Sequence, residues 1–280
     1  EICDSMIDLG WGPYQNDHED ANGQFEMNWN YTDCLRTADR HVFFKFMVKS
    51  IAEKHGLRAT FMPKPFEKLT GNGCHAHVSM WSNDQNVFFD PSDKLGLSKI
   101  AYNFLGGIMH SAQSLSPMFN PTINSYRRLD AQTTFSGATW SPGSISYSGN
   151  NRTHMIRVPD KGRFELRLMD GSVNPYLLQA AIIASGLNGI NSKRDPGKPL
   201  FVNMYTDGHN YPNIKKLPNT LFDALDCMTE DKDIKDALGH EVIESYLKLK
   251  RQECDDFRAN NEFEKDSPIT EWEKINTLDC

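Results

Sequence analysis

The stretch Arg163-Phe-Glu-Leu-Arg-Leu-Met169 alternates without a break between charged and apolar residues. Side chains of a β-strand point to opposite faces in turn. Phe164, Leu166 and Leu168 therefore share one face, suited to a core, and Arg163, Glu165 and Arg167 share the other. Two readings of the charged face are open. It is either a solvated ladder of surface ion pairs, worth little, or a site for an anionic substrate and a metal, because guanidinium forks match carboxylate and phosphate.

Residues 74–81 alternate in the same way. His75, His77, Ser79 and Trp81 fall on one face, and Cys74, Ala76, Val78 and Met80 on the other. A lone histidine is most often a satisfied structural residue. Two at i, i+2 on one strand face, entered through Gly71-Asn72-Gly73, can instead ligate a metal or a substrate. Upstream, Glu19 and Glu26 flank a Gly-Gln turn in an acid-rich run. Hard divalent cations such as Mg²⁺ prefer carboxylate oxygens, though acid-rich loops are commonly just solvated. Arg127, Arg128, Arg152, Arg157, Arg163 and Arg167 all lie within residues 127–167, where Glu165 is the single Glu. So dense an arginine set predicts an anion pocket, and phosphoryl transfer is the reaction that most needs one.

The remaining pattern sets the fold class. Residues 1–33 are polar and turn-rich. Leu35, Ala38, Val42 and Phe46, with Phe43, Met47 and Ile51, recur at helical spacing and predict a helix over 35–55, stopped at Gly56. Strands are expected at 57–62, 74–81, 153–158 and 163–169, and a second helix at 98–115. The polar segment 116–151 reads as a long functional loop. Asn174-Pro175 supplies an N-cap and first-turn proline for a helix to about residue 190. Four helices are expected near 221–228, 234–238, 242–257 and 269–278. Methionine and aromatic stripes in the helices read as core. The mixture lacks strict alternation of strand and helix, so an α+β fold with an antiparallel sheet is expected.

Composition narrows the partners. The 280 residues are 39% hydrophobic and 24% charged, a globular balance with enough apolar residues for a sizeable core. The net charge of −7 argues against a broad basic face for nucleic acid, while a local basic pocket stays open. Apolar runs are too short to span a membrane. Six cysteines without a C-x-x-C pair predict reduced thiols, and with no secretory leader seen the expected setting is cytoplasmic.

Taken together, these segments resemble the glutamine synthetase family over nearly the whole chain. Gly71-Asn-Gly-Cys-His-Ala-His-Val-Ser79 is similar to its metal and nucleotide strand, and Asn120-Pro-Thr-Ile-Asn-Ser-Tyr-Arg-Arg128 to its glutamate-binding signature. Asn151-Arg-Thr-His-Met-Ile-Arg-Val-Pro159 and residues 163–170, followed by Asn174-Pro-Tyr176, resemble its phosphate-site strands and the next helix. Leu217-Pro-Asn-Thr-Leu221 through Thr270-Glu-Trp272 resembles its helical tail. Residues 14–29 and the loop Ser136-Gly-Ala-Thr-Trp-Ser-Pro142 look nearest the type III subgroup, which includes γ-glutamylmethylamide synthetases.

The resemblance implies a curved antiparallel sheet flanked by helices, with a helical C-terminal region. It also implies an ATP-dependent glutamate–ammonia ligase of nitrogen metabolism that uses Mg²⁺ or Mn²⁺. Carried over by motif, Glu19 and Glu26 would hold one metal, and His75 and Glu165 the other. Gly71, Arg128 and Arg167 would bind glutamate. His77, Ser79, Arg157 and Arg163 would bind ATP, and Arg152 would stabilise the transferring group. A glutamate–methylamine ligase is the near alternative, and a non-catalytic structural relative the distant one. A generic metal-binding module leaves the arginines unexplained.

Two departures from the family pattern stand out. Its N-terminal β-grasp domain and first catalytic strand are not seen, so residues 1–280 are expected to be a partial catalytic domain, inactive alone, from a ring-forming homo-oligomer. Between Arg128 and Arg152 there is also no Glu, and Asp130 is the single acid, so the family's amine-deprotonating flap carboxylate is missing.

Overall fold

The structure is a computed structural model. It describes residues 1–131, 134–137 and 139–280. Ala138, inside the loop used for the subgroup placement, lies outside the described residues.

The polar start of the chain is more ordered than its composition predicts. Helix α1 (Ile2–Asp8) precedes an antiparallel hairpin of β1 (Pro13–His18) and β2 (Phe25–Trp29). Met6, Trp11, Met47 and Ile51 form a small core that joins this part to α2 (Cys34–Lys54). Asp33 caps α2 by accepting from the Arg36 N–H at 2.9 Å, and Gly56 takes a positive φ just past its end. The stripe read as core is only partly so. Ala38, Met47 and Ile51 are buried, whereas Leu35, Val42, Phe43 and Phe46 stay exposed.

The strand expected at 57–62 does not form. That segment spends its polar groups singly: Thr60 Oγ1 donates to the Leu278 carbonyl, and the Asn72 amide donates to the Met62 carbonyl at 2.8 Å. Alternation resumes at β3 (Ala76–Val78), followed by the small hairpin β4 (Trp81–Ser82) and β5 (Gln85–Asn86). The helix expected at 98–115 is two helices, α3 (Lys99–His110) and α4 (Ala112–Phe119), broken at Ser111. The segment expected to be a long loop holds the end of α4, the one-turn α5 (Ser125–Arg128) and β6 (Tyr147–Ser148).

Next come β7 (Ile156–Asp160) and β8 (Arg163–Leu166), which complete a four-stranded sheet in the order β3-β8-β7-β6. Two of its pairs are antiparallel and β6–β7 is parallel, so the expected antiparallel sheet is in fact mixed. Its apolar face packs on helices. Phe164, Leu166 and Leu168 are fully buried, and the Phe104 ring of α3 lies 6.1 Å from that of Phe164. Behind α3 runs α6 (Pro175–Asn191), N-capped by Asn174 as its sequence predicts. The two helices cross on glycines: a Cβ on Gly107 would stand 2.1 Å from the Ser185 carbonyl oxygen.

The C-terminal region is helical, with α7 (Met204–Asp207), α8 (Leu221–Glu230), α9 (Lys232–Leu238), α10 (His240–Arg258) and α11 (Glu271–Thr277). All six cysteines are free thiols. No helix among the described residues is long and apolar enough to cross a membrane.

Candidate active site

The charged face of β8 is not solvated. The side chains of Glu165 and Arg167 are 4% and 3% exposed, which removes the surface-ladder reading. In the sheet register Glu165 lies opposite His77 on β3 and Arg157 on β7. Its carboxylate meets Arg167 Nη1 at 2.9 Å, Arg157 Nη1 at 3.1 Å and His75 Nδ1 at 3.3 Å. Arg128 donates to the Leu168 and Arg167 carbonyls at 3.0 and 3.2 Å, which fixes it at the end of the same strand. Arg163 bonds His77.

Positive charge therefore exceeds negative on this floor. Burial first, then the guanidinium groups of Arg167 and Arg128, hold the His75 imidazole well below its ordinary pKa, so it is neutral with a lone pair to offer. Burial also lowers His77, against the opposing pull of Glu165. The Nε groups of Arg157 and Arg167 are buried without a partner among the described residues. Buried donors rarely go unpaired, and donors of this kind in a positive cavity suit an anionic ligand.

Across the cavity stand the two hairpin carboxylates. Asp17 pairs with Glu26 across the strands, and the Glu19 N–H donates to the Gln24 carbonyl at 2.8 Å, so the turn brings Glu19 beside Glu26. The Gln24 amide ties this turn to the glycine loop, donating to the Gly71 carbonyl at 3.1 Å and Asn72 Oδ1 at 2.8 Å. Burial, then the hydrogen bond and repulsion from Glu26, push Glu19 up to about 7. Burial would raise Glu26 too, but the bonds from Glu19 and Asn28 hold it below the ordinary range. Two carboxylates sharing one proton form the oxygen donor set that a hard divalent cation takes in the proton's place. The second pair, His75 with Glu165, offers a neutral nitrogen and a carboxylate, although both arginines already engage that carboxylate. Among the described residues no group of three or more His, Cys, Asp or Glu is gathered as for a metal. Each expected ligand set thus stands as a pair.

The twelve residues given roles by the family resemblance line one cavity of about 2020 Å³: Glu19, Glu26, Gly71, His75, His77, Ser79, Arg128, Arg152, Arg157, Arg163, Glu165 and Arg167. Arg152 is exposed there, and its charge acts on both Glu19 and Glu26. Gly71 has a packing reason to be glycine, since a Cβ would lie 2.4 Å from the Pro63 carbonyl oxygen and 3.2 Å from Arg128 Cγ. Ser79 accepts from the Trp81 indole at 3.0 Å.

Arg127 departs from the expected arginine pocket. It turns away to a buried ion pair with Glu273 and to carbonyls of Glu264, Lys265 and Ser267. Asp130 does not line the cavity. Its carboxylate lies against Gly143, where a Cβ would sit 2.1 Å from Oδ1. Sequence reasoning missed three cavity residues. Tyr31 stacks on Trp81 with ring centroids 6.2 Å apart, and Asp20 and Trp140 join the hairpin to the loop after Arg128. The acid-rich run of residues 14–23 was the one available signal for Asp20.

Known proteins resemble this chain over its whole length. Residues 1–266 match the family described as glutamine synthetase, catalytic domain. The chain is 59% identical over 281 residues to a glutamine synthetase of Rhizobium meliloti (strain 1021), covering all of this chain and 63% of that protein. It is 42% identical over 277 residues to a glutamate–methylamine ligase of Methyloversatilis universalis, covering 97% of this chain and 60% of that protein. A solved structure of a GmaS/ADP complex superposes with a TM-score of 0.88 at 56% identity, covering all of this chain and 63% of the other. The chain thus spans under two thirds of the length of these relatives. By its sequence, its fold and the residues gathered on its sheet, this chain belongs to the glutamine synthetase family.

Proposed function

We propose that the protein bearing this chain is an ATP-dependent ligase joining glutamate to ammonia. The observation that carries the reading is the arrangement of guanidinium groups around Glu165, facing the Glu19–Glu26 pair across one cavity. In the first step a γ-carboxylate oxygen of glutamate attacks the γ-phosphorus of ATP and ADP leaves, giving γ-glutamyl phosphate. In the second, the ammonia nitrogen attacks the γ-carbonyl carbon, phosphate leaves with the bonding pair, and the nitrogen sheds a proton.

The chain's own residues bind and orient. Arg128 and Arg167, buried at the strand end, grip the carboxylate of glutamate, and the Gly71 loop shapes the space beside them. Arg157 and Arg163 meet the ATP phosphates, with His77 and Ser79 toward the nucleoside. Arg152, exposed on the cavity wall, stabilises the phosphoryl group in transit. Glu19 and Glu26 would hold one Mg²⁺ or Mn²⁺, and His75 and Glu165 the other. A bound pair of such ions neutralises charge on both sides of a transferred phosphoryl group. We place the protein in the cytoplasm as a ring-forming homo-oligomer, and residues 1–280 in its catalytic domain.

A second reading, glutamate–methylamine ligase, is favoured by one feature. Asp130, the single acid between Arg128 and Arg152, lies off the cavity, so the amine side lacks a flap carboxylate. A less charged amine site suits methylamine. The deciding experiment is ADP release by the polypeptide at its relatives' full length, with glutamate and Mg²⁺, comparing ammonium with methylamine. Faster turnover with ammonium supports the first reading and faster turnover with methylamine the second. No amine-dependent release sinks both and leaves another amine or the non-catalytic relative to test.

A further inference from the structure

One carboxylate joins the hairpin turn to the loop after Arg128. Asp20 follows Glu19 and lines the cavity. Its Oδ2 accepts from Thr70 Oγ1 and from Ser136 Oγ, the latter at 2.6 Å, and the Trp140 indole lies near enough to favour its charge. These donors hold the carboxyl below the ordinary range although burial works the other way. The other cavity carboxylates are already engaged: Glu165 with arginines, Glu19 with Glu26, Asp17 with Gln15, Asp33 as the α2 cap and Glu1 with His55.

Trp140 connects this carboxylate to the anion-binding side. Its carbonyl accepts from Arg167 Nη2 at 3.4 Å, and the next residue, Ser141, donates to the Arg128 carbonyl at 2.5 Å. The backbone of Trp140 is left-handed, with φ at +54°. A bulky residue holds such a conformation only where its surroundings enforce it. Arg167 holds its carbonyl, and the Asp20 carboxylate lies near its indole.

We infer that Asp20 is a positioning residue, which sets Trp140 and Ser136 so that Arg167 stays aimed at the substrate carboxylate. This rests on the assignment of Arg167 to glutamate in the proposed function. Asp20 does not bond Arg167; it acts through Ser136 and the Trp140 segment of the same loop. Its place at the hairpin turn also couples the Glu19–Glu26 side of the cavity to the arginine side.

The test uses the full-length protein with Asp20→Ala, Asp20→Glu and Ser136→Ala, reading KM for glutamate, KM for ATP, and amide exchange in peptides covering residues 135–141. In Asp20→Ala, KM for glutamate rises about tenfold or more, within what small misplacements of a binding group cost, while KM for ATP stays within about twofold. Exchange over 135–141 quickens. Asp20→Glu restores most of both, and Ser136→Ala gives a smaller effect of the same kind. Unchanged loop exchange in Asp20→Ala overturns the inference. So does an equal rise in both KM values with a lowered Tm, which marks a general structural role. If the parent protein shows no glutamate-dependent ADP release, the functional reading falls separately, and the exchange comparison still decides whether Asp20 holds the loop.

Discussion

Glu165 shows why the residue scale matters here. A carboxylate buried between two guanidinium groups is costly to remove, because the arginines left behind are desolvated and unpaired. Glu165→Gln is therefore expected to lower unfolding free energy by about 3 kcal/mol, read as a shifted urea midpoint with an unchanged slope. An unshifted midpoint would mean that the arginines find other partners. Gly71→Ala tests packing beside the same cluster. Its Cβ would meet a backbone carbonyl at 2.4 Å, which cannot swing aside, so the Arg128 stem must shift. We expect weaker glutamate binding with ATP binding retained, measured by calorimetry; equal retention of both would exclude the shift. Which of these residues could be read in advance follows from periodicity. His77 and Glu165 lie on strands, and His75 and Arg167 directly flank them, so the alternation in sequence fixes the face. Arg127 and Arg128 are neighbours on a single helical turn, about 100° apart, and nothing local says that one enters the cavity while the other faces Glu273.

Elements explain what the sequence concealed. In the hairpin only β2 alternates, as Phe25-Glu-Met-Asn-Trp29, while its partner β1 is polar throughout most of its length, so the pair was not announced, yet its register is what brings Glu19 to Glu26. Residues 57–62 have the opposite character: apolar enough for a strand, they lack a strand neighbour, and strands exist only by pairing. Helix α2 was legible in its length and its glycine stop but not in its exposed face, because burial depends on what packs against it. One of its residues gives a pH prediction. His41 lies part-buried on the cavity side, and burial, aided by Lys45, lowers it from 6.5 to about 4. The folded protein thus keeps His41 neutral where the unfolded chain would protonate it. Below 6.5 the unfolded state binds more protons, and stability falls as pH drops, by about 1.4 kcal/mol per pH unit for this group, down to its folded value. His41→Phe should flatten the decline in urea midpoint between pH 7 and pH 5, whereas an unchanged decline would assign it to other buried histidines such as His75 and His154.

At the scale of the whole molecule, the C-terminal helix reaches the active cavity through one ion pair. Glu273 is fully buried on α11, where it completes a capping box with Thr270. It also holds Arg127 at 2.5 and 2.8 Å and accepts from Asn124 at 3.1 Å. Arg127 adjoins Arg128, and Asn124 exchanges hydrogen bonds with the Lys64 backbone at the head of the glycine loop. Three segments far apart in sequence are thus pinned at one buried carboxylate, which no local pattern could reveal. Removing it leaves Arg127 charged, buried and unpaired, and frees two donors of the cap. Glu273→Ala should cost about 3–5 kcal/mol of unfolding free energy, and glutamate binding should weaken through Arg128 while the Glu19–Glu26 hairpin keeps its own contacts. The measurement is paired: urea unfolding for stability, and calorimetric titration with glutamate and separately with Mn²⁺, at a temperature where the variant is folded. Loss of glutamate affinity with Mn²⁺ binding preserved supports a route from α11 to the arginines. A stability loss with both affinities intact would show that the α11 contact anchors the fold without setting the site.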